Sequence, residues 1–194
     1  MKHAVIAAHP RASSFTMAVA RSYEDAVSAR GQSVVVRDLY RMNFAPCLEA
    51  GEMPGAGGFA PGRDVLEERE LLGDVEVFVF VYPFWLNSQP AMLKGYIERV
   101  FGMGFAYGAG RGGNRPLLAG RRMLSFTSSG APTEWMVESG SWEAATRLFD
   151  TYFAAVCGLE VLDHIHFGGI VPGIRADAVQ AHLAKVRDAV ARRF

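Results

Sequence analysis

The feature that most constrains this 194-residue chain is a rhythm of five short strand-like runs, alternating with segments of helical spacing. The clearest run is Val75-Glu76-Val77-Phe78-Val79-Phe80-Val81-Tyr82, apolar at every position but Glu76. A strand that is apolar on both faces has to be covered on both, which places it centrally in a parallel sheet between helices. Val5-Ile6-Ala7-Ala8, Ser33 to Leu39, Arg122 to Thr127 and Leu159 to Phe167 read as the other four strands. Helical stretches are expected from the N-cap candidates Ser13-Ser14 towards Gly31, from Arg63 to Leu72, and from Pro90 to Phe101. Two more run from Trp142 to Val156, capped by Ser141 and stopped at Gly158, and from Ala176 to Arg193. Parallel strands joined through helices require right-handed crossovers. The chain therefore predicts a single α/β domain over residues 1–194, doubly wound, with helices on both faces of a five-stranded parallel sheet. The natural strand order is the flavodoxin-like 2-1-3-4-5.

Composition removes several function classes. Half of the residues are hydrophobic and 21% charged, which supports a packed core rather than disorder. Twenty Lys+Arg balance twenty Asp+Glu, so no charge bias points to nucleic acid or to a carrier that docks by charge. Cys47 and Cys157 form no C-x-x-C pair and fit a reducing compartment. No apolar run reaches membrane-spanning length and the first residues lack a signal-peptide pattern, so a cytoplasmic location without membrane insertion is expected. His164 and His166 alternate on one strand face, yet no third ligand stands at a useful spacing; they read as structural or surface residues, and no metal is expected. A Walker P-loop, a G-x-G-x-x-G turn after a strand and a G-x-S-x-G elbow are all missing. Residues 40–62, rich in Gly and Pro, form a long irregular excursion, and a second glycine-rich loop covers Gly102 to Asn114.

In a sheet of this kind ligands collect beyond the carboxyl ends of the strands, where strand order reverses. The segments there are His9 to Thr16, Pro83 to Pro90 and Thr127 to Gly130. The first offers Arg11, the hydroxyls of Ser13, Ser14 and Thr16, and a helix N-terminus that favours an anion. Phe84 and Trp85 in the second can line a flat ring, and the small residues of the third let a ring approach the backbone. A phosphate cradle joined to ring contacts is the layout of a flavin site.

With those residues in view, the chain resembles the NAD(P)H:quinone oxidoreductase (DT-diaphorase-like) family of flavodoxin-like flavoproteins. The resemblance is carried by His9 to Phe15, Asp38-Leu39-Tyr40-Arg41-Met42-Asn43-Phe44-Ala45-Pro46 and Pro83-Phe84-Trp85. Its longest stretch is Pro90 to Phe101, followed by Gly104-Phe105-Ala106-Tyr107. The resemblance implies a homodimer with one flavin per subunit, FAD preferred to FMN, reduced by NAD(P)H and reoxidised by a quinone or related electrophile in ping-pong order. It implies that His9, Arg11, Ser14, Phe15 and Thr16 hold the flavin phosphate. Pro83, Phe84, Trp85 and Leu86 would flank the ring system, and Thr127, Ser128, Ser129 and Gly130 would meet its other edge. Phe105 and Tyr107 would wall the substrate pocket, from the partner subunit. Where mammalian-type members carry a relay Tyr and His, this chain has Trp135 and Ser141. Two other roles compatible with a flavin site are an electron carrier and a regulatory subunit of a transport protein.

Overall fold

The computed structural model describes residues 1–55 and 59–194. In chain order the strands are β1 (Lys2–Ala7), β2 (Ser33–Asp38), β3 (Val77–Pro83), β4 (Tyr107–Gly110), β5 (Gly113–Pro116), β6 (Arg122–Ser128) and β7 (Glu160–Phe167). Five of them form a parallel sheet in the order β2-β1-β3-β6-β7, the expected order for the five long strands. The other two, β4 and β5, pair as an antiparallel hairpin that overlaps the Gly102–Asn114 segment expected to be a glycine-rich loop and runs two residues beyond it. Its strands are four residues each and mostly exposed, with no apolar alternation to announce them, and the turn uses the positive-φ residues Gly112 and Gly113.

β3 is buried along its whole length, and its alternation divides the core in two. Val77, Val79 and Val81 face α1 (Phe15–Ser28) and α7 (Ala176–Arg193), among Tyr23, Leu124 and Val190. Phe78, Phe80 and Tyr82 face the opposite layer, built on α2 (Arg63–Leu71) and α3 (Ala91–Val100), among Leu93, Tyr96 and Phe149. That layer continues through α4 (Thr133–Glu138), which is not among the helices expected from the sequence. Next come α5 (Ser141–Thr146), a π-helical segment at Arg147–Phe153 and α6 (Ala154–Cys157). Ser141 opens α5 instead of capping it, because the left-handed Gly140 (φ 73°) holds the cap position. Gly158 closes α6 in the left-handed conformation, as expected.

The excursion after β2 is anchored to α3; its residues 56–58 lie outside the described residues. Arg99, only 6% exposed, donates to both oxygens of Glu52 at 2.8 Å, to Asp64 at 2.6 and 2.9 Å, and to the Ala45 carbonyl at 2.6 Å. Next to it the loop backbone presses on the helix. A Cβ on Gly95 would lie 2.0 Å from the Pro46 carbonyl oxygen, so no side chain fits there. The Asp38–Pro46 and Pro90–Gly95 motifs are thus two sides of one contact. Lys94 and Glu98 form the surface i,i+4 pair that their spacing suggests.

Hydrogen bonds from Arg99 hold the Glu52 carboxyl at about 2, well below the ordinary carboxylate value. A depressed folded-state value means that Glu52 stabilises the fold above its unfolded value near 4.5, and that this stabilisation is lost as pH falls towards 2. Arg99→Met leaves Glu52 buried without its cation and is expected to lower unfolding free energy by about 3–5 kcal/mol. Urea melts at neutral pH check the loss, and melts across the acid range should show a flatter pH dependence in the variant.

Candidate active site

β1, β3 and β6 end at one rim of the sheet because their registers are locked as they leave it. The Ala8 amide donates to the Val81 carbonyl at 3.1 Å, Phe84 to Ser128 at 2.7 Å and Ser129 to Phe167 at 3.0 Å. The three following loops close on a depression of about 160 Å³. His9, Phe15 and Thr16 enter from the first, Pro83, Phe84 and Trp85 from the second, and Ser128, Ser129 and Gly130 from the third.

In the first loop Ser14 caps α1, its Oγ accepting from the Met17 amide at 3.2 Å. Among the described residues the amides of Ser13, Phe15 and Thr16 have no acceptor, so a row of N–H donors stays free at the helix start. Arg11 is exposed beside them. The loop is clamped from β2: Arg41 bonds Asp38 at 2.9 Å, the Pro10 carbonyl at 2.7 Å and the His9 carbonyl. His9 Nδ1 accepts the Arg11 amide at 3.0 Å, which makes Nε2 its hydrogen-bearing atom. Burial, with the charges of Arg11 and Arg41, holds this imidazole below its ordinary value.

The second loop is a two-residue turn. Trp85 and Ser88 exchange backbone hydrogen bonds at 3.0 and 3.1 Å, with Leu86 (φ 51°) and Asn87 (φ 58°) both left-handed. A non-glycine residue costs about 1–2 kcal/mol in that conformation. The strain presents Leu86 fully exposed and sets Trp85 edge-on to His9 at 5.7 Å. Leu86, Asn87, Trp135 and Ser141 line an adjoining depression of about 350 Å³ that shares Phe84, Ser129 and Gly130 with the first.

The third loop rests on a buried polar chain that sequence reasoning missed. Thr127 Oγ1 lies between His164 Nε2 at 2.8 Å and His166 Nδ1 at 2.9 Å. His164 Nδ1 reaches Asp150 at 2.7 Å, and His166 Nε2 reaches Ser129 Oγ at 2.9 Å. His166 also stacks on Phe84, centroids 5.3 Å apart and planes 21° apart. Burial, then the neighbouring His164, pushes His166 down to about 4. The hydroxyls of Ser14 and Thr127 therefore have partners inside the protein. Phe105 packs on Phe101 in the core, and Tyr107 lines a separate depression of about 450 Å³ with Gln89, Leu148 and Tyr152; the chain does not bring either to the three-loop cleft.

The donor set suits a flavin. Free helix amides, Arg11 and Ser13 fit a phosphate, while Phe84 and Trp85 fit the face of a ring. Among the described residues the Leu86, Asn87 and Gly130 amides are also without acceptors, a match for a ring's polar edge. No cluster of metal-ligating side chains exists among the described residues.

Fold and cleft together define a flavodoxin-like protein, and the model of the family described as flavodoxin-like fold matches residues 1–190. A Haemophilus influenzae protein named as an uncharacterized NAD(P)H oxidoreductase is 33% identical over 171 residues, covering 88% of this chain and 85% of that protein. NAD(P)H dehydrogenase [quinone] 1 of Rattus norvegicus is 26% identical over 82% of this chain, which spans 65% of the rat protein. The solved NAD(P)H:quinone oxidoreductase from Methanothermobacter marburgensis superposes with a TM-score of 0.85 at 28% identity, over 98% of this chain and 95% of that one. The chain belongs to the NAD(P)H:quinone oxidoreductase family of flavodoxin-like proteins.

Ser14 separates capping from anion binding. Ser14→Ala removes the cap and should lower stability by about 1 kcal/mol. Ser14→Asp keeps the cap but places a carboxylate among the free amides, so thermal stabilisation by added FMN should disappear while the ligand-free melt stays near that of the parent chain. Differential scanning fluorimetry reads both.

Proposed function

We propose that this chain is a flavin-dependent reductase that passes two electrons from NAD(P)H to a quinone or related electrophile, with the nicotinamide leaving before the acceptor enters. The observation that carries the reading is the convergence of the loops after β1, β3 and β6 on one cleft, with free amides at one end and an aromatic wall at the other. When bound, a flavin supplies the redox chemistry itself, taking a hydride equivalent from the nicotinamide and giving electrons to the acceptor.

The protein's part is binding, orientation and exclusion of water. Ser13, Phe15 and Thr16 amides with Arg11 hold the phosphate at the start of α1, and the Arg41 clamp keeps their loop in place. Phe84 and Trp85 fix the ring plane. The free Leu86, Asn87 and Gly130 amides would donate to the polar edge of the ring, and such donors favour the reduced form, which carries more negative charge. FAD is preferred to FMN in this reading, in keeping with the family resemblance.

A homodimer completes the pocket in this reading. The cleft rim exposes Trp85, Leu86 and Trp135, and the depression around Tyr107 exposes Leu148 and Tyr152, an apolar lining that a second copy would cover. Phe105 and Tyr107 then serve the neighbouring subunit's cleft. Cys47 and Cys157 are free, in keeping with a cytoplasmic enzyme, and among the described residues no helix is long and apolar enough to cross a membrane.

Purified protein should be yellow and release FAD on denaturation, and anaerobic NADPH or NADH should bleach it, with colour restored by menadione. Flavin that stays oxidised with both nicotinamides would sink the reading. Analytical ultracentrifugation should give a dimer, and Leu86→Lys should weaken it and lower menadione turnover together.

A further inference from the structure

The chain from Asp150 to Ser129 has two complete hydrogen-bonding arrangements that differ by one proton. Ionised Asp150 only accepts, so His164 Nδ1 carries a hydrogen in both. Thr127 owns one hydroxyl hydrogen and lies between two ring nitrogens, so it donates to one ring and accepts from the other. When His164 is neutral, Thr127 donates to its Nε2, His166 Nδ1–H donates to Thr127, and Ser129 donates to His166 Nε2. When His164 carries an extra proton, every link reverses. His164 Nε2–H donates to Thr127, Thr127 to His166 Nδ1, and His166 Nε2–H to Ser129. The Ser129 hydroxyl is then released towards the Ala131 carbonyl, 2.8 Å away, or towards whatever occupies the cleft.

We infer that Asp150, His164, Thr127, His166 and Ser129 form a proton wire that passes a proton held on His164 into the cleft. The inference rests on the redox function proposed above, because NAD(P)H + H⁺ + quinone gives NAD(P)⁺ + hydroquinone and so takes up one proton. Starting from protonated His164, the Ser129 hydroxyl proton passes to a basic atom in the cleft. The His166 Nε2 proton moves to Ser129 Oγ, the Thr127 proton to His166 Nδ1, and the His164 Nε2 proton to Thr127 Oγ1. The wire is left in its neutral arrangement, with His164 Nδ1–H still donated to Asp150, and His164 Nε2 is recharged when a proton enters at Ser129 and the transfers run in reverse. No link is oxidised or reduced.

Three observations outside the wire fit this use. Only one end meets the cleft: Ser129 lines it, while the His164 and Asp150 side chains at the other end are 5% and 13% exposed. Asp150 sits in the π-helical segment, an irregularity frequent at functional sites. A bulge in β7 between the partners of Met123 and Leu124 shifts its register by one, so that His164 and His166 pair with Ser125 and Thr127 on the Phe84 side of the sheet. The charged surroundings leave the wire its own control. Tyr82 on β3, paired across to Thr127, stays protonated because burial and Asp150 both raise it. Asp163 beside His164 is paired with Arg193. The low value of His166 keeps that ring neutral, as a relay between two hydroxyls requires.

Imidazole ¹⁵N NMR across about pH 5–9, the range in which histidines titrate, reads the wire without turnover. The expected result is that His166 stays neutral and changes from the Nδ1–H to the Nε2–H tautomer as His164 takes up its proton. Thr127→Val should break the coupling and Thr127→Ser restore it. In the flavin-loaded enzyme T127V should lower menadione kcat on the order of 10²-fold with KM for NADPH unchanged, and T127S should recover it. A His166 fixed in one tautomer over the range, or T127V with parental kcat, overturns the inference. The wild-type tautomer measurement decides even where T127V does not fold. Protein that binds no flavin but shows the tautomer switch would remove the redox function and the wire's proposed use, while leaving the switch itself established.

Discussion

Everything at the functional edge depends on β3 being buried on both sides. A strand with valines towards one layer and aromatic rings towards the other cannot sit at an edge or face water, so β1 and β6 must flank it and helices must cover both faces. Flanked in register, the three strands stop at the same height, and the loops that follow have no choice but to meet. The convergence of His9, Phe84 and Ser129 is thus a consequence of core packing.

The chemistry of these loops comes from groups that the core leaves unsatisfied. Helix α1 starts at the rim with one amide capped by Ser14 and others free, and the Leu86–Asn87 turn is held in a conformation disfavoured for both residues. Neither is stable by itself. Each is held by contacts on its outer side: Arg41 reaches across from β2 to the His9 and Pro10 carbonyls, and Asn87 Nδ2 donates to the Ser141 carbonyl at 2.9 Å. Strain at a binding edge persists where the surroundings over-determine it. Further back, Arg99 performs the same service for the excursion between β2 and α2, tying it to α3 through the buried Arg99–Glu52 pair and the half-exposed Asp64.

Much of this was legible in the residue order, for a physical reason. The five long strands advertise themselves through apolar runs, and Ser14 and Gly158 mark helix ends because few residues suit those backbone positions, whereas the cap expected at Ser141 falls on Gly140. The parts that stayed hidden lack such local signals. β4 and β5 are short, exposed and glycine-rich, and α4 follows Pro132 in a stretch of mixed polarity. Ser14 and Thr127 were legible as polar residues at the rim, but which atoms bind their hydroxyls is set by tertiary neighbours. For Thr127 those neighbours lie 37 and 39 positions away.

The histidines are the clearest case. Strict alternation along Glu160–Phe167 puts the residue before His164 on the face of Val161. The observed ladder pairs Met123 with Val161 and then Leu124 with Asp163, and this one-residue slip exchanges the two faces beyond it. Without it, Asp163 and Ile165 would turn towards Phe84 and Trp142, and both imidazoles would turn into the Leu124–Phe126 layer, where no hydrogen-bond partners wait. With it, Ile165 and Phe167 fill that apolar layer and the imidazoles find Asp150, Thr127 and Ser129. Nothing in eight residues of sequence encodes the slip. It is imposed by what each face of the sheet can accept, and a polar path through an otherwise dry layer is its result.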